Sequence, residues 1–133
     1  MILIVLLVLA LFVLQTLIPN QLREPAPAGA PVSLAQALGP RDNPRPFTVM
    51  GGRAARALAN MHEALPVFLA LALMNLIVGS AAGMAITGGW VFLIARVIYV
   101  PLYLAGIPVL RTLAWGASWV GLVMMLIPLL DRI

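Results

Sequence analysis

Eight residues of this chain have the types and spacing to hold a small anion. Arg53, Arg56, Asn60 and Glu63 follow one another at intervals of three, four and three residues, which stacks them on one face of a helix. Arg96, Tyr99 and Tyr103 repeat the pattern at intervals of three and four, and Arg111 follows eight residues later. Guanidinium groups grip carboxylates through paired N–H donors, and the tyrosine hydroxyls and the amide add directional hydrogen bonds. Together they could cradle a small anionic, hydrogen-bonding ligand. Glu63 lies deepest in the first set. A buried carboxylate is costly alone, so Arg96, well inside a later apolar run, is its expected partner. Ionisable side chains inside apolar helices mark a functional site by default. A Glu63–Arg96 pair with Asn60 would equally hold helices together, and spacing alone leaves both readings open. His62 falls off the stripe and reads as a helix-surface or packing residue.

The elements that must position these residues are membrane helices. The chain has 133 residues, of which 63% are hydrophobic and 9% charged; a soluble domain carries about 25% charged residues. A domain this small buries only part of its surface, so lipid must cover the rest. The expectation is an all-α integral membrane protein, a bundle of four transmembrane helices in a single domain over residues 1–133. The apolar runs predict helices over about 1–19, 47–79, 89–109 and 112–130, joined first by a proline-rich connection, 20–46. A short helical turn capped by Ser33 is expected over Ser33 to Leu38. The first run lacks the basic start of a signal peptide and exceeds the usual apolar stretch of one, so a retained helix is expected. Pro66, Pro101, Pro108 and Pro128 fall within or at the ends of helices, where membrane segments tolerate them.

Charge and composition narrow the partners. The formal net charge is +4 and all eight basic residues are arginines. They are scattered singly, with no cluster to track phosphates, so nucleic acid is not an expected partner. Arg23, Arg41 and Arg45 lie in the first connection and Arg111 in the expected turn between the third and fourth helices. In a four-span chain those segments share a side, which the positive-inside rule makes cytoplasmic. The stripe would open there, with both termini outside; Arg132 counts the other way. Cysteine is absent, which removes thiolate nucleophiles and cysteine metal sites, and no metal is expected. Trp90, Trp115 and Trp119 read as interfacial anchors or as packing.

At this point the motifs carry a resemblance. The run Arg53-Ala-Ala-Arg56-Ala-Leu-Ala-Asn60-Met-His-Glu63-Ala-Leu-Pro66 resembles the second-helix signature of the MAPEG family, the membrane-associated proteins of eicosanoid and glutathione metabolism. Ala95-Arg96-Val-Ile-Tyr99-Val-Pro-Leu-Tyr103, followed by Arg111, resembles its third-helix signature. Gly39-Pro40-Arg41-Asp42-Asn43 is similar to the entry to helix two in short bacterial members, akin to microsomal glutathione transferase. Ala64 stands where some family enzymes have an aromatic residue.

The resemblance implies a homotrimer in the bacterial inner membrane, with glutathione held in crevices between protomers near the cytoplasmic side. Arg53, Arg56, Asn60, Glu63, Arg96, Tyr99 and Tyr103 would bind it, with Arg23 a further contact. Arg111 would stabilise the thiolate, since a nearby cation favours the charged form of a thiol and the thiolate is the nucleophile. The implied activity is a glutathione-dependent transferase or peroxidase acting on lipophilic electrophiles or lipid hydroperoxides. A non-enzymatic lipid-binding or scaffold trimer, with the stripe as a structural core, is the alternative. A small-solute transporter is a weaker one, because the chain has no inverted repeat or paired broken helices.

Overall fold

Four helices account for nearly all of the computed structural model, which describes residues 1–25 and 44–132. They are α1 (Ile2–Gln21), α2 (Val49–Ile77), α3 (Gly83–Ala105) and α4 (Pro108–Leu130). Each is long and apolar enough to cross a membrane. The expected turn at Ser33 to Leu38 and the Gly39–Asn43 segment lie outside the described residues. At 1.5 Å per residue the 20 residues of α1 span about 30 Å, the thickness of a bilayer's hydrocarbon core. The 29 residues of α2 span about 43 Å, so in a bilayer matched to α1 the helix either tilts or carries one end beyond the hydrocarbon. Its amino-terminal turns, with Arg53 and Arg56, are the more polar ones.

Small residues set the closest helix contact. A Cβ at Gly88 of α3 would come within 2.6 Å of the Gly121 carbonyl oxygen of α4, and one at Gly121 within 2.7 Å of the Gly88 oxygen. Membrane helices pack through such glycine contacts because lipid tails offer no hydrophobic drive for association. An apolar core fills the middle of the bundle, where the Phe68 and Phe92 rings stack 4.6 Å apart between Ile4, Val8, Met61 and Met125. Asn75 is fully buried and donates to the Leu71 oxygen of its own helix and, at 2.9 Å, to the Met125 oxygen of α4. Facing outward, Leu3, Leu14, Ile77 and Leu113 are more than half exposed, a surface suited to lipid and costly in water.

The long connection is pinned at both ends. The Thr48 amide and hydroxyl both donate to the Leu22 oxygen, and the same hydroxyl accepts from the Gly51 amide as the N-cap of α2. Any side chain at Gly51 would strike the Leu22 oxygen. Arg23 donates to the Arg45 oxygen and lies 4.1 Å over the Phe47 ring, while Arg45 donates to the Glu24 oxygen.

Two boundaries differ from expectation. The third helix begins at Gly83, six residues before the predicted 89, because Gly88 and Gly89 are packing surfaces: a Cβ at Gly89 would meet Ile4 at 3.2 Å. The turn to the fourth helix lies at Gly106 and Ile107, not around 110–111. Gly106 takes φ +76°, and its amide and that of Ile107 donate back to the Tyr103 and Leu102 oxygens, a glycine-terminated helix end. Pro108 has no amide to extend α3 but suits the first turn of α4. Arg111 is therefore helical, its amide bonded to the Ile107 oxygen at 3.2 Å, rather than part of a loop.

Candidate functional site

A polar cleft of about 210 Å³ lies between α2, α3 and α4, lined by Asn60, Tyr99, Tyr103, Arg111, Thr112 and Trp115. Small side chains make room for it. Ala57 of α2 and Ala114 of α4 pack against Tyr99, whose ring is 5% exposed. Its neighbour Tyr103 meets it edge-on, with centroids 5.4 Å apart. The Arg111 guanidinium sits 4.4 Å from the Tyr103 ring centroid, within the range of cation–π attraction. Thr112 donates to the Pro108 oxygen at 2.9 Å, which spends its proton on its own helix.

Four of the eight sequence-predicted residues thus line one cleft: Asn60, Tyr99, Tyr103 and Arg111. The other four go elsewhere, and helix geometry gives the reason. At about 100° per residue, and with Arg56 as reference, Asn60 and Arg53 lie some 40–60° to one side, whereas Glu63 lies about 20° to the other. The single stripe therefore divides. Arg53 and Asn60 lean toward α3, while Arg56 and Glu63 are exposed on the outer face of the bundle.

Arg53 reaches the end of α3 rather than the cleft. Its Nη1 donates to the Leu104 oxygen at 3.0 Å, and its guanidinium lies so close to Gly106 that a Cβ there would be 2.6 Å from Cζ. A cation at a helix C-terminus satisfies a carbonyl left without an intrahelical partner and meets the negative end of the dipole. Arg53 thus ties α2 to the turn that precedes Arg111.

Arg96 does not pair with Glu63, contrary to expectation. It is 1% exposed, and its Nη1 donates to Asn60 Oδ1 at 2.5 Å. Its guanidinium lies 5.3 Å from the Phe92 centroid and 5.5 Å from that of Tyr99, while Nε and Nη2 have no partner among the described residues. Glu63 lies about 60° round α2 from Asn60, on the exposed side of the helix. Arg23 is taken up by the connection, as above. His62 is an exposed surface residue whose Nδ1 bonds the Leu58 oxygen at 3.0 Å and whose ring meets Phe12 edge-on.

Sequence reasoning missed Thr112 and Trp115 as lining residues. The signal was available: Trp115 stands four residues after Arg111, on the same helical face. Arg23, Arg45, Arg53, Arg56 and Arg111 gather at the end of the bundle where α1 and α3 finish and α2 and α4 begin. A cleft walled by donors at a basic end attracts anions and raises their local concentration.

The MAPEG family model matches residues 1–130 of the chain. No curated protein and no solved structure gives a match.

Proposed function

The chain belongs to the MAPEG family, and from that footing we propose that it is a glutathione-dependent membrane transferase or peroxidase acting on lipophilic electrophiles or lipid hydroperoxides. One observation carries the reading. Asn60, Tyr99, Tyr103 and Arg111, from three helices, converge on a single cleft at the basic end of the bundle. The donors there suit a ligand with carboxylates and a thiolate. Arg111 holds the thiolate by its charge, and Tyr99 and Tyr103 supply hydroxyl donors. When bound, glutathione supplies a thiolate whose sulfur bonds to an electrophile as the leaving group departs with its electron pair; alternatively, two thiols reduce a hydroperoxide to alcohol and water and leave as the disulfide.

The working unit in this proposal is a homotrimer. A cleft of about 210 Å³ falls short of the roughly 300 Å³ at which ligand pockets usually begin. Arg56 and Glu63, exposed beside it, would complete the site against a neighbouring copy. The basic end faces the cytoplasm by the positive-inside rule, in a bacterial inner membrane, and the second substrate arrives through the lipid. Calorimetric titration of detergent-solubilised protein with glutathione tests the proposal. Saturable binding that is lost in Arg56→Ala is expected; no binding at millimolar glutathione overturns it.

A second reading has specific support. Arg53 and Arg96 each donate a hydrogen bond to a neighbouring helix, as the arginines of a structural core would. On that reading the protein is a lipid-binding or scaffold trimer without catalysis, and Arg56 and Glu63 serve assembly alone.

A further inference from the structure

Arg96 has no access of its own to the cleft, being 1% exposed and absent from its lining. What it touches is Asn60, through Nη1 to Oδ1 at 2.5 Å. A guanidinium has five N–H donors and no acceptor. An asparagine can ordinarily turn its amide over, exchanging oxygen and nitrogen with little change of shape. Beside Arg96 it cannot, because the reversed amide would press its own N–H groups against those of the guanidinium. That arginine is also buried with Nε and Nη2 unpartnered among the described residues, so it has no cheap way to give up the one acceptor it holds.

We infer that Arg96 is a positioning residue that locks the Asn60 amide with its oxygen turned inward, so that the cleft receives the NH2 donor and the ligand group seated there is a carboxylate or another acceptor. The inference rests on the proposed glutathione site and sharpens it. Glutathione carries both carboxylates and an amine, and the lock assigns a carboxylate, not the amine, to Asn60. Tyr99, Tyr103 and Arg111 around the same cleft are likewise able to donate. The carboxylate of Glu63, about 60° round α2 from Asn60, is the group suited to the amine.

Three variants test the lock, with glutathione as the probe in calorimetry and the thermal midpoint of ligand-free protein as a second reading. In Asn60→Asp a carboxylate still accepts from Arg96, so the midpoint stays at or above that of the apolar isostere Asn60→Leu. The donor to the ligand is gone, however, and the glutathione Kd rises by about tenfold or more. Arg96→Lys keeps a donor-only group and binds within about twofold of wild type, whereas Arg96→Gln, able to accept as well as donate, frees the amide and weakens binding about fivefold. Equal affinity in Arg96→Lys and Arg96→Gln overturns the inference, as does wild-type affinity in Asn60→Asp. Wild-type protein that binds no glutathione brings down the proposed function alone. The lock is then judged by the midpoints, and an Asn60→Asp protein less stable than Asn60→Leu overturns it.

Discussion

Arg111 rests on the face of Tyr103, a contact that orients a guanidinium without neutralising it. On the proposed function that charge meets a thiolate, and electrostatic groups of this kind act mainly where charge develops. In Arg111→Ala the rate with a generic electrophile should fall by roughly a hundredfold while glutathione affinity changes much less. Initial rates at saturating glutathione read this out, and an equally active mutant removes Arg111 from the chemistry. At this scale the residue types and helical period were enough to bring Asn60, Tyr99, Tyr103 and Arg111 together. The same period could not give the destinations of Arg53 and Arg96. An arginine's long stem lets it serve a neighbouring helix end or a buried amide as readily as a ligand, and the choice depends on which helix lies alongside. The Glu63–Arg96 pair was the natural guess from charge, but a rotation of about 60° between Asn60 and Glu63 decided against it.

Among the elements, the α3–α4 turn governs the cleft. Gly106 holds a left-handed conformation, φ +76°, and its missing side chain leaves the space that the Arg53 guanidinium occupies. Gly106→Ala should lower stability by about 1–2 kcal/mol from backbone strain, with a further loss from displacing Arg53. Gly116→Ala is the control, because a Cβ there meets nothing within 4 Å and alanine is the better helix former. Unfolding of the two variants in detergent compares them directly, and equal stability would mean that the Arg53 contact holds nothing in place. The turn was legible in principle, since a glycine followed two residues later by proline is a helix stop and restart. The start of α3 was harder. Glycines that end a soluble helix are packing surface in a membrane helix, and the Gly83–Gly89 run shows which only once α1 and α4 lie against it.

For the whole molecule, the exposed outer face of α2 is the feature that distinguishes the two functional readings. Arg56 and Glu63 stand exposed there, next to surfaces that lipid must cover. If they bind ligand, Glu63→Ala keeps the detergent-corrected mass of a trimer and loses glutathione binding. If they are structural, the same variant falls to monomers with no ligand involved. Sedimentation of wild type and variant separates these outcomes, and a wild-type monomer would sink the trimer itself. Four spans and their all-helical class were readable from composition, because the apolar fraction leaves a chain this small no other way to cover its surface. What surrounds the bundle was not readable, since nothing in one chain's sequence says whether a polar face meets a second copy or a ligand.

The unequal lengths of α1 and α2, about 30 and 43 Å, tie the site to the bilayer's thickness. In a membrane matched to α1, the first turns of α2 stand in the headgroup layer and Asn60 sits close to the hydrocarbon boundary. A thicker membrane would draw Arg53 and Arg56 toward the acyl chains, and the helix would tilt or the bilayer thin to keep them hydrated. A tilt of α2 would change how it meets α3 where Asn60 and Arg96 join. Lipid chain length would then act as an effector of the site, one that detergent micelles conceal and that reconstitution in bilayers of graded thickness would bring out.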